Sequence, residues 1–310
     1  MKSKEQYEFT ISSQGLYDSP PDMNTILQSM IKYDDFATAL AELFDNSMEY
    51  GPTTVVDVSF GDDFIVVSDD GRGMDVQGIR SMLQFKRQEH EDGATGKYGY
   101  GFKAASFHMA KKTVVISRKN GIFYFGRHAP GEEWKSHVEK CEPGHSDYKY
   151  ITNLWKKHHC RPSVESGTLV HMTDIRQPLD KKALKKISEH FSITYAEQAI
   201  KDKLKLCVGG KEISYTRIKG APTEDNYVRK KYNFKGHDFY VSILMAPEKK
   251  KNSNKLFNRG IIYRNGRLIA HGQNVGVSYG NNPNYKRVQI ILELDENFDE
   301  YINMQPNKTL

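Results

Sequence analysis

Glu42, Asp45 and Asn46 lie in the run Ala41-Glu42-Leu43-Phe44-Asp45-Asn46. Residues three and four apart share a helix face, so on a helix these polar groups project together. The spacing sets that face opposite one carrying Phe36, Leu40 and Leu43. A carboxylate four residues before an amide suits a magnesium–nucleotide site. The Asn46 oxygen can ligate Mg²⁺, and Glu42 can orient and deprotonate a water that attacks phosphorus. A solvated polar helix face would carry the same residue types.

A second group is Asp69-Asp70-Gly71-Arg72-Gly73-Met74, at the end of an apolar run. An acid held at a strand end can accept a hydrogen bond from an exocyclic amine such as that of adenine, while Gly71 and Gly73 let the backbone turn under a flat ring. A plain Asp-Gly turn reads the same way. The third is Gly96-Lys97-Tyr98-Gly99-Tyr100-Gly101-Phe102-Lys103. Glycines before a helix leave N–H groups free to face an anion, the helix N-terminus adds its positive end, and Lys103 adds a full charge. The pattern follows no strand of a βαβ unit and lacks the ending of a P-loop, so neither of those nucleotide folds applies. Ser166-Gly167-Thr168 is placed to close an adenine pocket with a strand hydroxyl.

The elements that must position these groups follow from periodicity. A helix starts at Asp34-Asp35 and stops at Gly51-Pro52. TTVVDVSF and FIVVSD read as a hairpin around Gly61-Asp62-Asp63, and TVVISR pairs with GIFYFGR around Asn120-Gly121. A short helix is expected over 75–84 and another from Gly101 to Lys111. Residues 128–163 are polar, rich in His and Lys, and give no clear element. Gly167 to Met172 reads as a strand, 178–205 as a helix, and 206–310 as mostly strands. The expected organisation is a first domain over 1–177, a connecting helix over 178–205, and a second α/β domain over 206–310.

The 310 residues carry a net charge of +6, and 38% of them are apolar, enough for real cores. No apolar run is long enough to cross a bilayer. The first ten residues lack the apolar stretch of a secretory signal, and three cysteines make no disulfide framework, so an intracellular protein without membrane contact is expected. The mild basic excess leaves polyanionic partners open. Cys141, His145, His158, His159 and Cys160 are of metal-ligating types, but their spacing matches no zinc pattern.

Taken in this order, E-L-F-D-N, D-D-G-R-G-M, G-K-Y-G-Y-G-F-K and G-T resemble the four boxes of the GHKL ATPases. The run Lys97 to Ser106, and Gly260 to Ile269 further on, look most like the MORC branch. The resemblance implies a Bergerat α/β sandwich with a mixed sheet, followed by a transducer-like α/β domain. It implies ATP and Mg²⁺ as ligands, Glu42 as general base and Asn46 as the Mg²⁺ ligand. Asp69 would be the adenine carboxylate, supported by Thr168. Gly71, Gly73 and Met74 would line the pocket, while Gly96, Lys97, Tyr98, Gly99, Tyr100, Gly101, Phe102 and Lys103 would hold phosphates. Lys308, in Gln305-Pro306-Asn307-Lys308, resembles a second-domain lysine that reaches the γ-phosphate. Asp70 stands where the family more often has asparagine.

The resemblance further implies an ATP-dependent homodimer that clamps double-stranded DNA in chromatin silencing, and a nuclear location if the source is eukaryotic. Mismatch-repair-like and chaperone-like roles share the same site, as does a nucleotide switch with little turnover. A sensor kinase is disfavoured, because no helix bearing a phosphoacceptor histidine precedes Tyr33.

Overall fold

The computed structural model describes residues 36–49, 53–83, 101–128, 136–215, 227–245, 260–273 and 288–302. Gly96, Lys97, Tyr98, Gly99, Tyr100 and Lys308 lie outside them.

Helix α1 (Phe36–Glu49) leads into strands β1 (Val55–Phe60) and β2 (Phe64–Asp69) and helix α2 (Val76–Leu83). Helix α3 (Gly101–Met109) runs directly into β3 (Ala110–Lys119), which turns into β4 (Ile122–His128). That turn is tight because Asn120 and Gly121 both hold positive φ, 51° and 80°, which Asn and Gly tolerate best. The stretch left open by sequence supplies β5 (Ser136–Cys141) and α4 (Tyr148–His158), and β6 (Gly167–Ile175) comes after them. Helix α5 (Lys181–Thr194) is started by Asp180, whose side chain accepts the Ala183 N–H at 2.7 Å. Helix α6 (Ala196–Asp202) ends at Lys203, and β7 (Lys205–Val208) and β8 (Lys211–Glu212) come next.

These strands form one sheet in the order β5-β4-β3-β6-β2-β1-β7-β8, antiparallel except where β7 runs parallel to β1. Alternation along the strands divides two apolar layers. Ile65, Val67, Val115 and Val170 face α1, α2, α3 and α5. Their neighbours Val66, Ile116 and Leu169 face Ile151 and Trp155 of α4 on the other side. Fully burying Ile151 contributes about 2 kcal/mol. The fold is the mixed α/β sandwich expected, with one helix added on the far face.

The division near 177 and 206 is drawn differently by the backbone. The span 178–205 holds two helices, and the strands after it return to the first sheet: Val55 pairs with Lys205 and Val58 with Val208. Leu206, Val208 and Ile213 join the first core. A short apolar strand pattern names no sheet, so periodicity alone does not assign it.

A second sheet has the order β12-β11-β13-β10-β9, from β9 (Tyr227–Phe234), β10 (His237–Met245), β11 (Gly260–Arg264), β12 (Arg267–Gln273) and β13 (Val288–Leu294). One face packs Ile262, Ile269 and Leu294 on Phe298. The other sets Ile261, Tyr263 and Leu268 against Ile193 of α5, so α5 serves both sheets. The β11–β12 turn is again two residues with positive φ, Asn265 at 48° and Gly266 at 81°. At its flanks Arg264 makes a buried two-point pair with Asp299, at 2.7 and 2.9 Å.

Candidate nucleotide site

Spacing predicts one apolar and one polar face for α1. Instead Phe36, Ala37, Ala39, Leu40, Ala41, Leu43 and Phe44 are all buried, and Glu42 and Asp45 are buried with them. A helix apolar on every side is an interior helix, so its carboxylates are taken out of water. Asn46 and Ser47 are half-buried.

Asp69 ends β2, opposite Val56 on one side and Thr168 of β6 on the other. Its Oδ1 accepts the Gly71 N–H at 3.0 Å, and its Oδ2 lies 3.0 Å from the Ser47 hydroxyl on α1. Burial pushes this carboxyl up to about 7, against the opposing pull of those hydrogen bonds and of the Thr168 backbone. The turn after it is shaped by glycine. A Cβ on Gly71 would come within 2.8 Å of Thr53 Oγ1, and one on Gly73, at φ +67°, within 2.0 Å of the Arg118 carbonyl. The Met74 N–H donates to Ser117 Oγ at 2.6 Å, and that hydroxyl donates to the Gly167 carbonyl at 3.0 Å. The turn is thereby stitched to β3 and β6.

The segment just after α4 supports the same strand end, a role sequence did not indicate. His159 Nδ1 accepts the Arg161 N–H at 3.0 Å, so Nε2 carries the ring proton and donates to the Asp69 carbonyl at 2.9 Å. The ring stacks on Trp155 with centroids 3.7 Å apart, and burial pushes it down to about 4. Cys160 N–H donates to Ser68 Oγ at 3.0 Å, and Arg161 Nη1 to Asp70 Oδ2 at 2.8 Å. Three consecutive residues thus hold three consecutive residues. Asp70 accepts the N–H groups of Thr54 and Val55 at 2.7 and 2.8 Å. Burial alone would raise its carboxyl; the bonds from Thr54 and Val55, with the Arg161 charge, hold it below the usual range. Asp70 therefore ties β1 to β2, work an asparagine could share only in part.

The other end of α1 meets α3. A Cβ on Gly101 would fall 2.3 Å from Glu42 Oε2, so the start of α3 is open toward that carboxylate only because residue 101 is glycine. Phe102 and Lys103 are buried in the first turn of α3, and burial lowers the Lys103 ammonium to about 8. Glu42 therefore meets the start of α3, with Lys103 buried in the first turn of that helix, while Ser47, further along α1, reaches Asp69.

Asp45 departs from the expected cluster. It accepts from the Tyr195 hydroxyl at 3.0 Å and lies 3.3 Å from Nε of Arg267, away from any nucleotide role. The Cys and His residues considered as metal ligands are also dispersed. Cys141 packs in the core under α4, and His159 is committed to Asp69. Glu139, His145 and Asp147 place ligand atoms within 4.8 Å of one another. Yet His145 Nδ1 accepts the Asp147 N–H at 3.0 Å, which leaves the proton on Nε2, 3.1 Å from Glu139. A ligating imidazole needs that nitrogen bare, and Arg127 already holds Asp147.

The donor set suits a magnesium nucleotide. A buried acceptor stands at one end, and an open helix N-terminus with a lysine at the other. An amide oxygen and a carboxylate stand one turn apart on α1. Residues 33–157 match the family described as "Histidine kinase-, DNA gyrase B-, and HSP90-like ATPase". This part of the chain is similar to the GHKL ATPase domains.

Its relatives point to the MORC branch. The chain is 34% identical over 89 residues to Protein MICRORCHIDIA 6 of Arabidopsis thaliana, covering 26% of this chain and 13% of that protein. It is 27% identical over 89 residues to ATPase morc-1 of Caenorhabditis elegans, covering 27% and 10%. It is also 26% identical over 199 residues to the Arabidopsis thaliana protein "Structural maintenance of chromosomes flexible hinge domain-containing protein GMI1", covering 61% and 11%. In each case the match spans only a small part of the longer relative.

Proposed function

We propose that the chain is a Mg-dependent ATPase of MORC type, a clamp that dimerises when ATP binds and that acts on DNA in chromatin. The observation that carries the ATPase reading is the single helix α1. Through Ser47 it fixes Asp69, and one turn earlier it aims Glu42 at the start of α3.

Asp69 accepts the adenine amine, with Thr168 beside it and Gly71, Gly73 and Met74 beneath the ring. Gly101, Phe102 and Lys103 give the triphosphate backbone N–H groups and a charge, joined by Gly96, Lys97, Tyr98, Gly99 and Tyr100. Asn46 offers its amide oxygen to Mg²⁺, which neutralises phosphate charge. Glu42 takes the proton of the attacking water, and Lys308 stabilises charge that develops on the γ-phosphate. If the source is eukaryotic, a nuclear site of action follows from the chromatin reading.

Steady-state hydrolysis by the wild type beside Glu42→Ala tests the enzyme. Turnover lost in the variant while ATP still binds is expected; equal turnover in both would remove Glu42 from the reaction. Sedimentation with a non-hydrolysable ATP analogue tests the clamp, which fails if the protein stays monomeric. Duplex DNA binding at low salt, where phosphate contacts are strongest, tests the client.

A further inference from the structure

The β11–β12 hairpin belongs to the second sheet, but its tip reaches the helix that carries the hydrolytic carboxylate. Asn265 and Gly266 make a two-residue turn whose left-handed backbone fixes which side chains flank it. Gly266 sits against α6, where an added Cβ would lie 3.6 Å from Gln198 Cβ. Arg264 is spent within its own unit on Asp299. Arg267, on the other flank, is buried and lies 3.3 Å from Asp45 Oδ1 on α1. Its guanidinium is 6.0 Å from the Tyr195 ring, and the Tyr195 hydroxyl lies 3.0 Å from both Asp45 Oδ1 and the Ala41 carbonyl. Glu42 lies one turn before Asp45 on the same helix.

Asp45, one turn from Glu42 on a buried helix, thus meets a cation delivered from the second sheet. A charge removed from water is tolerated only when paired. The buried Asp45 carboxylate and the Arg267 guanidinium therefore offset each other's cost, and their pairing fixes α1 one turn from Glu42. Resting on the ATPase reading, we propose that Arg267 is a positioning residue: its charge, docked on Asp45, holds Glu42 in its working place and ties turnover to docking of the second sheet.

The test uses the whole chain, with kcat measured beside the dissociation constant for a non-hydrolysable ATP analogue. Arg267→Met is expected to lower kcat about tenfold or more, a fraction of what a general base supplies, with analogue affinity changed less than about twofold. Arg267→Lys restores most of the rate. Because Arg267→Met leaves Asp45 buried without its cation, the fold is guarded by a second variant, Asp45→Asn combined with Arg267→Met. That variant carries neither charge and is expected to unfold near the wild-type temperature yet stay slow. The inference is overturned if Arg267→Met turns over at the wild-type rate or loses affinity in step with kcat. It is also overturned if the double variant regains full rate, since Arg267 would then only neutralise Asp45. No turnover by the wild type overturns the ATPase reading as well; wild-type turnover with an unaffected Arg267→Met overturns this inference alone.

Discussion

His159 and Asp69 meet through the backbone, not through their acidic and basic groups. The imidazole Nε2–H donates to the Asp69 carbonyl at 2.9 Å, and the carboxyl of the same residue is left to Ser47 and Gly71. The histidine can thus hold the strand end still without neutralising the acid on it. Its own charge is suppressed by burial, which pushes it down to about 4. It is a neutral donor at any pH where the protein would work.

Replacing His159 with alanine removes that donor and the ring stacked on Trp155. The expected result is an ATP affinity weaker by about tenfold, near 1.4 kcal/mol, with kcat little changed at saturating nucleotide. His159→Gln keeps a donor of similar reach and should recover part of the affinity. Calorimetric titration with an ATP analogue reads this directly, and equal affinity in all three proteins would make the contact incidental.

The Asp69 carboxyl, raised by burial to about 7 from 3.8, gives a pH dependence of defined sign. Because the folded value is the higher one, the protonated form contributes stability that is complete below 3.8 and is lost as pH rises through about 7. Adenine's amine needs an acceptor, so binding draws the ionised form. Affinity should climb as pH goes from about 5.5 to about 7.5, with a proton released on binding. A flat profile would detach Asp69 from the base, and Asp69→Asn should abolish the slope while weakening binding.

Lys103 acts in the opposite window. Burial lowers its ammonium to about 8 from 10.5, so the folded protein gains stability as pH rises from about 8 toward 10.5. Triphosphate binding needs the charge, and affinity for ATP should fall above about pH 8. Lys103→Met should cost about 1.5–3 kcal/mol of ATP affinity, the range for a hydrogen bond to a charged group. AMP, which lacks the outer phosphates, should bind both proteins alike.

Two glycine substitutions should fail differently. Gly101→Ala puts a methyl 2.3 Å from Glu42 Oε2, the movable end of a side chain, so the fold should survive while the carboxylate swings away. Turnover should drop by about a hundredfold or more, as when a general base is lost. Gly73→Ala meets the Arg118 carbonyl at 2.0 Å with φ at +67°, and neither can yield. That variant should lose soluble expression or melt far below wild type. Thermal unfolding beside steady-state hydrolysis separates the two outcomes.

What the sequence disclosed was local. Glu42, Asp69 and Gly73 announce themselves by neighbours a few residues away, because helix spacing and turn stereochemistry are short-range rules. His159 and Arg267 do not. The first reaches Asp69 across 90 positions, through a segment whose polar composition suggests only surface. The second arrives from another sheet on a hairpin that reads simply as paired strands. Asp45 escapes the pattern for the same reason: spacing puts it beside Glu42 and Asn46, and only tertiary packing turns it toward Tyr195 and Arg267.

The parallel pairing of β7 with β1 makes the chain hard to cut. A truncation placed after β6 would keep every residue proposed to touch adenine, yet it would strip α5, β7 and the edge strand β8 from the fold and open β1 to aggregation. Exchange of parts with a relative faces the same interlock. A graft that treats the sandwich and the second sheet as two cassettes must make its seam beyond Ile213, where the last core residue of the first sheet has been spent.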